Sequence, residues 1–311
     1  MKIFVYTALD EAARTYLHQQ LPADTELLFK ENAATDQPPA ALQTADVLLG
    51  NPPPAWLTAG PLPQLKFWQI DSAGFERYQG VKLEISVANM GDFFAWPCAE
   101  TMVAGLLALY RLLPELVLLQ AEQRWVGHHM RTRQGLLRNK RVVILGAGAI
   151  GQAVREQLSG FGCAVQLLAR TDPQAQLHSK EDLAAALPET DIVVNCLPGS
   201  ADKFFSAELV AAMRPGSIYA SVGRGNTTDE PALIAALQAG RLGGAVLDVT
   251  ATEPIPPGHP LWALPHVLLT QHTGGGQPLE VEGKIDQLVR NLERLRTGQP
   301  LENPVQLAEG Y

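Results

Sequence analysis

Apolar residues fall along this chain in short runs, bounded by polar or turn-forming positions, at a regular beat. Over the first ninety or so positions the runs are KIFVYTA, TELLFK, DVLLG, KFWQI and ISVAN, each short enough for a strand and separated by polar or helical segments, which is an α/β pattern. From about Asp92 to Val126 the texture changes. AETMVAGLLALYRLLPELVLLQ is so continuously apolar that it predicts helix buried on several sides, with Pro114 kinking or dividing it. Strand-like runs then return as RVVILG, AVQLLA, DIVVNCL, SIYASVG, GAVLDV and HVLLTQ, with helix-like segments such as EDLAAALP and EPALIAALQAGR between them. Strict alternation of this kind implies right-handed crossovers and a parallel sheet. A last amphipathic helix is expected over roughly Pro278 to Thr297, preceded by three glycines. No repeat, low-complexity stretch or charge block interrupts the pattern.

The composition narrows this. A chain of 311 residues, 46% hydrophobic and 18% charged, can bury one or two sizeable cores; two domains is the natural reading, and a disordered or fibrous chain is excluded. A formal net charge of −8 provides no long-range positive field to gather nucleic acid or an anionic membrane, so an anionic ligand needs a local cationic pocket. Cys98, Cys163 and Cys196 are odd in number, lack metal-like spacing and lie in apolar context. They read as small core residues in a reducing compartment, with no metal site expected. The N-terminus MKIFVYTALDEAA reaches acidic residues too soon for a signal peptide, and no uninterrupted apolar run approaches ~20 residues, so a cytoplasmic protein is expected.

The segment RVVILGAGAIGQAVREQLSGFG carries the first specific chemistry. A wholly apolar strand runs into Gly146-Ala147-Gly148-Ala149-Ile150-Gly151 and a helix begins at once. A lone GxGxxG is weak and can merely join strand to helix. Here the flanks favour dinucleotide binding, with Gly146 permitting the tight turn, Gly148 the approach of a pyrophosphate, and Gly151 close helix-to-strand packing, while the helix N-terminus offers N–H groups to the anion. An NAD site places Asp or Glu after the next strand. That strand ends Leu168-Ala169-Arg170-Thr171, where Ala169 replaces the acid and Arg170 with Thr171 suits the extra phosphate of NADP. Asp172, one position further, leaves an NAD-type acid open.

Polar residues after strands of a parallel sheet have a raised prior for function, because ligands sit at the carboxyl ends. SIYASVG leads to Arg224, able to hold a carboxylate by two parallel hydrogen bonds, with Gly223 and Gly225 allowing close approach. GAVLDV leads to Glu253, and HVLLT to His272, a candidate acid/base that Glu253 can orient. Singly, each reads as well as a surface arginine, a solvated acid and a turn histidine. Three at the ends of consecutive strands, downstream of a dinucleotide turn, are harder to dismiss. Asp248 lies inside an apolar strand and needs a partner, so it reads as a supporting residue of the cofactor side, with a purely structural network equally open. His128, His129, His178, His259 and His266 read as surface or loop residues.

GAGAIG, SVGRGNTTDEPALIAALQAGRLGGAVLDVTATEPIPPGHPLW and LPHVLLTQHTGG together resemble the D-isomer-specific 2-hydroxyacid dehydrogenases over nearly the whole chain, and the Ala169-Arg170 pair resembles their glyoxylate/hydroxypyruvate reductase branch. The resemblance implies that Arg224 binds the substrate carboxylate and carbonyl, that His272 exchanges a proton with the substrate oxygen, that Glu253 supports His272, and that Ser72, Ala73 and Gly74 offer backbone amides to the carboxylate. It implies two doubly wound parallel-sheet domains: a Rossmann-type NADP-binding domain at 92–274 with a helical dimerisation arm, inserted in a flavodoxin-like substrate domain formed by 1–91 and 275–311. The site would lie in the cleft between them, the partner would be a second copy of the chain, and the reaction would be hydride transfer between NADP(H), or NAD(H), and a small 2-oxo/2-hydroxy acid. Substrate side-chain contacts are expected from loops such as Asn51 to Trp56, Phe75, and Asp92 to Trp96. Gln271 departs from the family, which usually has proline there. Formate enzymes of similar sequence have glutamine where Glu253 stands, so formate is disfavoured. A phosphorylated or other acid as substrate, and a dinucleotide-sensing scaffold or corepressor, remain as alternatives.

Overall fold

The computed structural model describes residues 1–30 and 38–309; the segment 31–37 and the last two positions, which belong to the expected substrate domain, lie outside the described residues. The chain divides into two compact units, Met1–Phe93 with Gln277–Tyr311, and Phe94–Gly276.

The first unit is built on a five-stranded sheet in the order β2-β1-β3-β4-β5. Its strands are β1 (Lys2–Val5), β2 (Glu26–Phe29), β3 (Val47–Leu49), β4 (Phe67–Gln69) and β5 (Ser86–Ala88), all parallel. Helices cover the sheet, so its strands are apolar on both sides, as Ile3, Phe4 and Val5 show with 1% exposure or less. Two of the expected substrate contacts, Trp56 and Phe75, are 3% and 1% exposed and belong to this core, which corrects their reading as pocket residues. The final helix, Glu280–Thr297, packs Ile285 and Leu288 into the same unit.

That helix also carries a polar pair into the core. Asn291, fully buried, donates to Gln69 Oε1 at 2.9 Å and accepts from Glu302 N at 2.7 Å. Gln69, equally buried, donates onward to the carbonyls of Ile70 and Asn89, and Gln287 donates to the Asn89 carbonyl. Every member is satisfied only while the helix sits in this register.

The second unit holds a six-stranded parallel sheet in the order β11-β10-β9-β8-β6-β7. Its strands are β6 (Arg141–Leu145), β7 (Ala164–Leu168), β8 (Ile192–Asn195), β9 (Ile218–Ser221), β10 (Gly244–Leu247) and β11 (Val267–Leu269). Strand order reverses between β6 and β8, which opens a crevice beside the carboxyl end of β6, where the glycine-rich turn lies.

The apolar stretch before β6 is two helices, Ala95–Tyr110 and Leu113–Ala121, bent by 67°. Pro114 sits in the first turn of the second, where its missing N–H costs nothing. Burial on several sides holds for the first helix, whose Ala99, Met102 and Leu106 are fully buried against the 149–159 helix. It fails for the second, which buries no residue and leaves Val117 and Leu118 more than 60% exposed. Past the bend, Leu113, Val117 and Leu118 stand exposed. Among the described residues no single helix is long and apolar enough to cross a membrane; these two pass the length and composition test only as a bent pair. The cysteines sit as their apolar context suggests, with Cys98 buried and the half-buried Cys163 and Cys196 packed against the same core.

Replacing Asn291 with Ala strands the buried Gln69 side chain and the Glu302 amide. A loss of roughly 2–4 kcal/mol of unfolding free energy is expected in urea titration, and a loss within error would show that the knot carries no stability.

Candidate active site

The turn after β6 has the sterics a dinucleotide requires. Gly146 has φ +101°, a side chain on Gly151 would collide with the Gly146 carbonyl, and one on Gly148 would meet nothing within 4 Å. The open space at Gly148 lies where the Ala149–Ser159 helix begins, and first-turn N–H groups such as those of Ala149 and Ile150 have no acceptor within the helix. After β7, Ala169 and Arg170 follow directly, with Arg170 exposed. His178, read from the sequence only as a loop residue, brings its Nδ1 within 2.8 Å of the Ala169 carbonyl and so stands at the same strand end.

Arg224, Glu253 and His272 follow the neighbouring strands β9, β10 and β11 at their carboxyl ends. His272 and Glu253 meet: Nδ1 donates to Glu253 Oε2 at 2.6 Å, while Thr250 N donates to the other carboxylate oxygen at 2.9 Å. The carboxylate is thereby held from both sides, and the second imidazole nitrogen, Nε2, has no partner among the described residues. The pair lines a cavity of about 180 Å³, with Leu247, Ile255, Trp262 and Leu269 on its apolar walls.

The half-buried Arg224 stands at the entrance of a single turn, Gly225–Thr227. Thr227 donates to the Arg224 carbonyl from both its amide and its hydroxyl, at 3.1 and 2.6 Å. Thr227 Oγ1 in turn accepts from Asn195, a fully buried residue ending β8 that also donates to Tyr219 Oη, each at 2.8 Å. Sequence reading missed Asn195, although an asparagine ending an apolar strand was a signal that buried partners had to exist. The close approach credited to Gly223 and Gly225 is corrected: side chains there would strike the carbonyls of Leu197 and Thr250, so the glycines admit neighbouring backbone, not a ligand.

Asp248, 4% exposed, lies one residue past β10. Its Oδ1 accepts from Thr270 Oγ1 at 2.6 Å and from the amides of Thr273 and Gly274 at 3.0 Å, and its backbone carbonyl accepts from His272 N at 2.7 Å. Asp248 and Arg224 both act electrostatically on the Cys98 thiol, Asp248 raising and Arg224 lowering its pKa, but burial dominates and pushes it up to about 12.

In the first unit, the loop after β4 has its carbonyls occupied and its amides open. Met90 N donates to Ser72 O, Asn89 Nδ2 to Ala73 O and Ser72 Oγ to Gly74 O, whereas the amides of Ser72, Ala73 and Gly74 have no hydrogen-bond partner among the described residues. Amides left without a partner in this way are donors available to an anion.

Residues 103–274 match the family described as D-isomer specific 2-hydroxyacid dehydrogenase, NAD binding domain. The chain is 31% identical over 251 residues to a hydroxyphenylpyruvate reductase of Plectranthus scutellarioides, covering 78% of this chain and 79% of that one. It is 30% identical over 220 residues to glyoxylate/hydroxypyruvate reductase A of Serratia proteamaculans, covering 68% of each. Among solved structures, a D-isomer specific 2-hydroxyacid dehydrogenase from Xanthobacter autotrophicus Py2 in complex with NADPH and MES aligns with a TM-score of 0.82 at 27% identity, covering 100% of this chain and 99% of that one.

Because burial keeps the Cys98 thiol protonated, iodoacetamide at about pH 8 should leave it unlabelled in the folded protein and label it once guanidinium unfolds the chain. Rapid labelling of the folded protein, read by mass spectrometry, would contradict this placement.

Proposed function

The chain belongs to the D-isomer-specific 2-hydroxyacid dehydrogenase family of NAD(P)-dependent oxidoreductases, and from that premise we propose that it reduces a small 2-oxo acid of the glyoxylate and hydroxypyruvate kind with NADPH. The observation that carries the reading is the 2.6 Å contact between His272 Nδ1 and Glu253, set beside a glycine turn of dinucleotide geometry. A scaffold or corepressor has no need of a histidine with one nitrogen fixed by a carboxylate and the other left open. Gly146, Gly148, Ala149, Ile150 and Gly151 hold the pyrophosphate, Asp248 braces the cofactor side, and Arg170 with Thr171 holds the 2′-phosphate.

Bound NADPH supplies the hydride. Arg224 grips the substrate carboxylate and polarises the 2-oxo group, with the Ser72, Ala73 and Gly74 amides as further donors to the carboxylate. As hydride reaches C2, negative charge develops on the carbonyl oxygen, and His272 Nε2 delivers the proton that makes it the hydroxyl. Arg224, a permanent cation, cannot readily deliver one. Glu253 fixes the imidazole through Nδ1 and balances its charge when protonated. In the oxidising direction the neutral imidazole takes the proton back.

The unit 1–93 with 277–311 is the substrate unit in this reading and 94–276 the cofactor unit. A homodimer through the arm gives the exposed apolar side of Leu113–Ala121, and Trp125 at 97% exposure, something to pack against. Free thiols suit a cytoplasmic location.

Turnover of glyoxylate, hydroxypyruvate and 4-hydroxyphenylpyruvate with each cofactor tests the substrate and the NADPH preference together. Arg170→Ala should raise the NADPH KM roughly 10- to 100-fold, the worth of charge-assisted bonds to phosphate, and leave the NADH value nearly alone. Equal kcat/KM for NADPH and NADH in the unaltered enzyme would remove Arg170 from the cofactor site.

His272→Ala should lower kcat by roughly 100- to 10,000-fold in both directions while NADPH still quenches protein fluorescence. In the intact enzyme, reduction should slow as pH rises and oxidation as pH falls, since the two directions need opposite protonation states of one imidazole. Limbs running the same way would assign the proton to another group.

A further inference from the structure

The loop that presents His272 is a two-residue left-handed turn made without glycine. Gln271 has φ +56° and His272 φ +58°, between Thr270 and Thr273, whose amide closes the turn on the Thr270 carbonyl at 3.1 Å. Residues with a side chain rarely take positive φ; histidine tolerates it better than most, and glutamine has no such preference. Two in succession persist only where the surroundings over-determine them. Here they do. Thr270 is pinned by its hydroxyl to Asp248 Oδ1, Thr273 and Gly274 by their amides to the same oxygen, and His272 by its amide to the Asp248 carbonyl. Thr101 Oγ1 holds the Gly274 carbonyl at 3.1 Å. With both flanks fixed, the intervening residues are driven into the left-handed region.

The turn is selective about what can occupy position 271, because a proline ring would hold φ near about −65°. Proline cannot enter the turn seen here. We propose that Gln271 is a positioning residue for His272: the left-handed backbone of the pair carries the imidazole Nδ1 to Glu253 and leaves Nε2 without a partner among the described residues, by a backbone route closed to proline. The Gln271 side chain is exposed and lines the same cavity as His272 and Glu253, so the requirement on its backbone is isolated by comparing glycine and valine variants, both of which remove that side chain's amide. The catalytic side of this inference rests on His272 being the proton donor.

The test compares Gln271→Pro, Gln271→Gly and Gln271→Val in the full chain. Proline should cost on the order of 100-fold in kcat, as misplaced catalytic groups do, with NADPH affinity unchanged, and should abolish the low-field NMR resonance of the His272 Nδ1 proton bonded to Glu253. Glycine should keep turnover and the resonance and raise Tm by relieving the turn; valine, stiff at its branched Cβ, should lower Tm and turnover. If the proline variant does not fold, the glycine and valine pair makes the same comparison. A proline variant with normal kcat and resonance, or a glycine variant with a lower Tm or as impaired as valine, overturns the proposal. Should the unaltered protein reduce no 2-oxo acid, the proposed function falls, while the resonance and the order of Tm still decide the turn.

Discussion

Asp248 places a carboxylate at 4% exposure just past β10, in surroundings where an unpaired charge would cost several kcal/mol. Nearly everything that locates the histidine follows from how that cost is met. Oδ1 takes donors from Thr270, Thr273 and Gly274, all in the turn that presents His272, and the Asp248 carbonyl takes the His272 amide. The turn is therefore a condition for burying the acid, and the acid a condition for bending the turn. Glu253, five residues on from Asp248, is then within reach of the imidazole, with Thr250 N steering its other oxygen.

The same logic of buried polar groups recurs at the other strand ends. Asn195 ties β8 to Tyr219 in β9 and, through Thr227, to the turn that bears Arg224. In the first unit, Asn291 and Gln69 bind the final helix to the carbonyls of the sheet. Each network demands one register, because a slip by a residue leaves several buried donors without acceptors. Parallel sheets made of Val, Ile and Leu have little else to specify position along a strand, so polar residues at the strand ends set it, beside the places where ligands would sit.

This explains what could be read from the sequence and what could not. All the strand runs, the glycine turn and the order of Arg224, Glu253 and His272 were visible, because apolar runs and abrupt polar residues are local features. The fate of LPELVLLQ was not: its apolar composition is the same whether it is covered by its own sheet or by something outside the chain, and only the bend after Tyr110 decides. Trp56 and Phe75 looked like loop residues because sequence proximity to a turn says nothing about which way a side chain folds back. The positive φ of Gln271 was equally hidden, since it is imposed by Asp248, distant in sequence.

The charge balance adds a last constraint on the proposed chemistry. A net −8 chain repels both an anionic substrate and NADPH at long range, but salt screens that field beyond roughly 8–10 Å. In the function proposed above, recognition is left to short-range, directional groups: the guanidinium groups of Arg224 and Arg170, the amides of Ser72, Ala73 and Gly74, and the start of the helix at Ala149. Hydrogen bonds from such donors reward only an anion of the right shape in the right place, whereas a diffuse positive field would reward any. In the proposed function, an acidic protein with a few directional donors forgoes long-range attraction and relies on short-range discrimination among small carboxylates. Discrimination is the greater need for an enzyme whose substrate differs from other 2-oxo acids by only a few atoms.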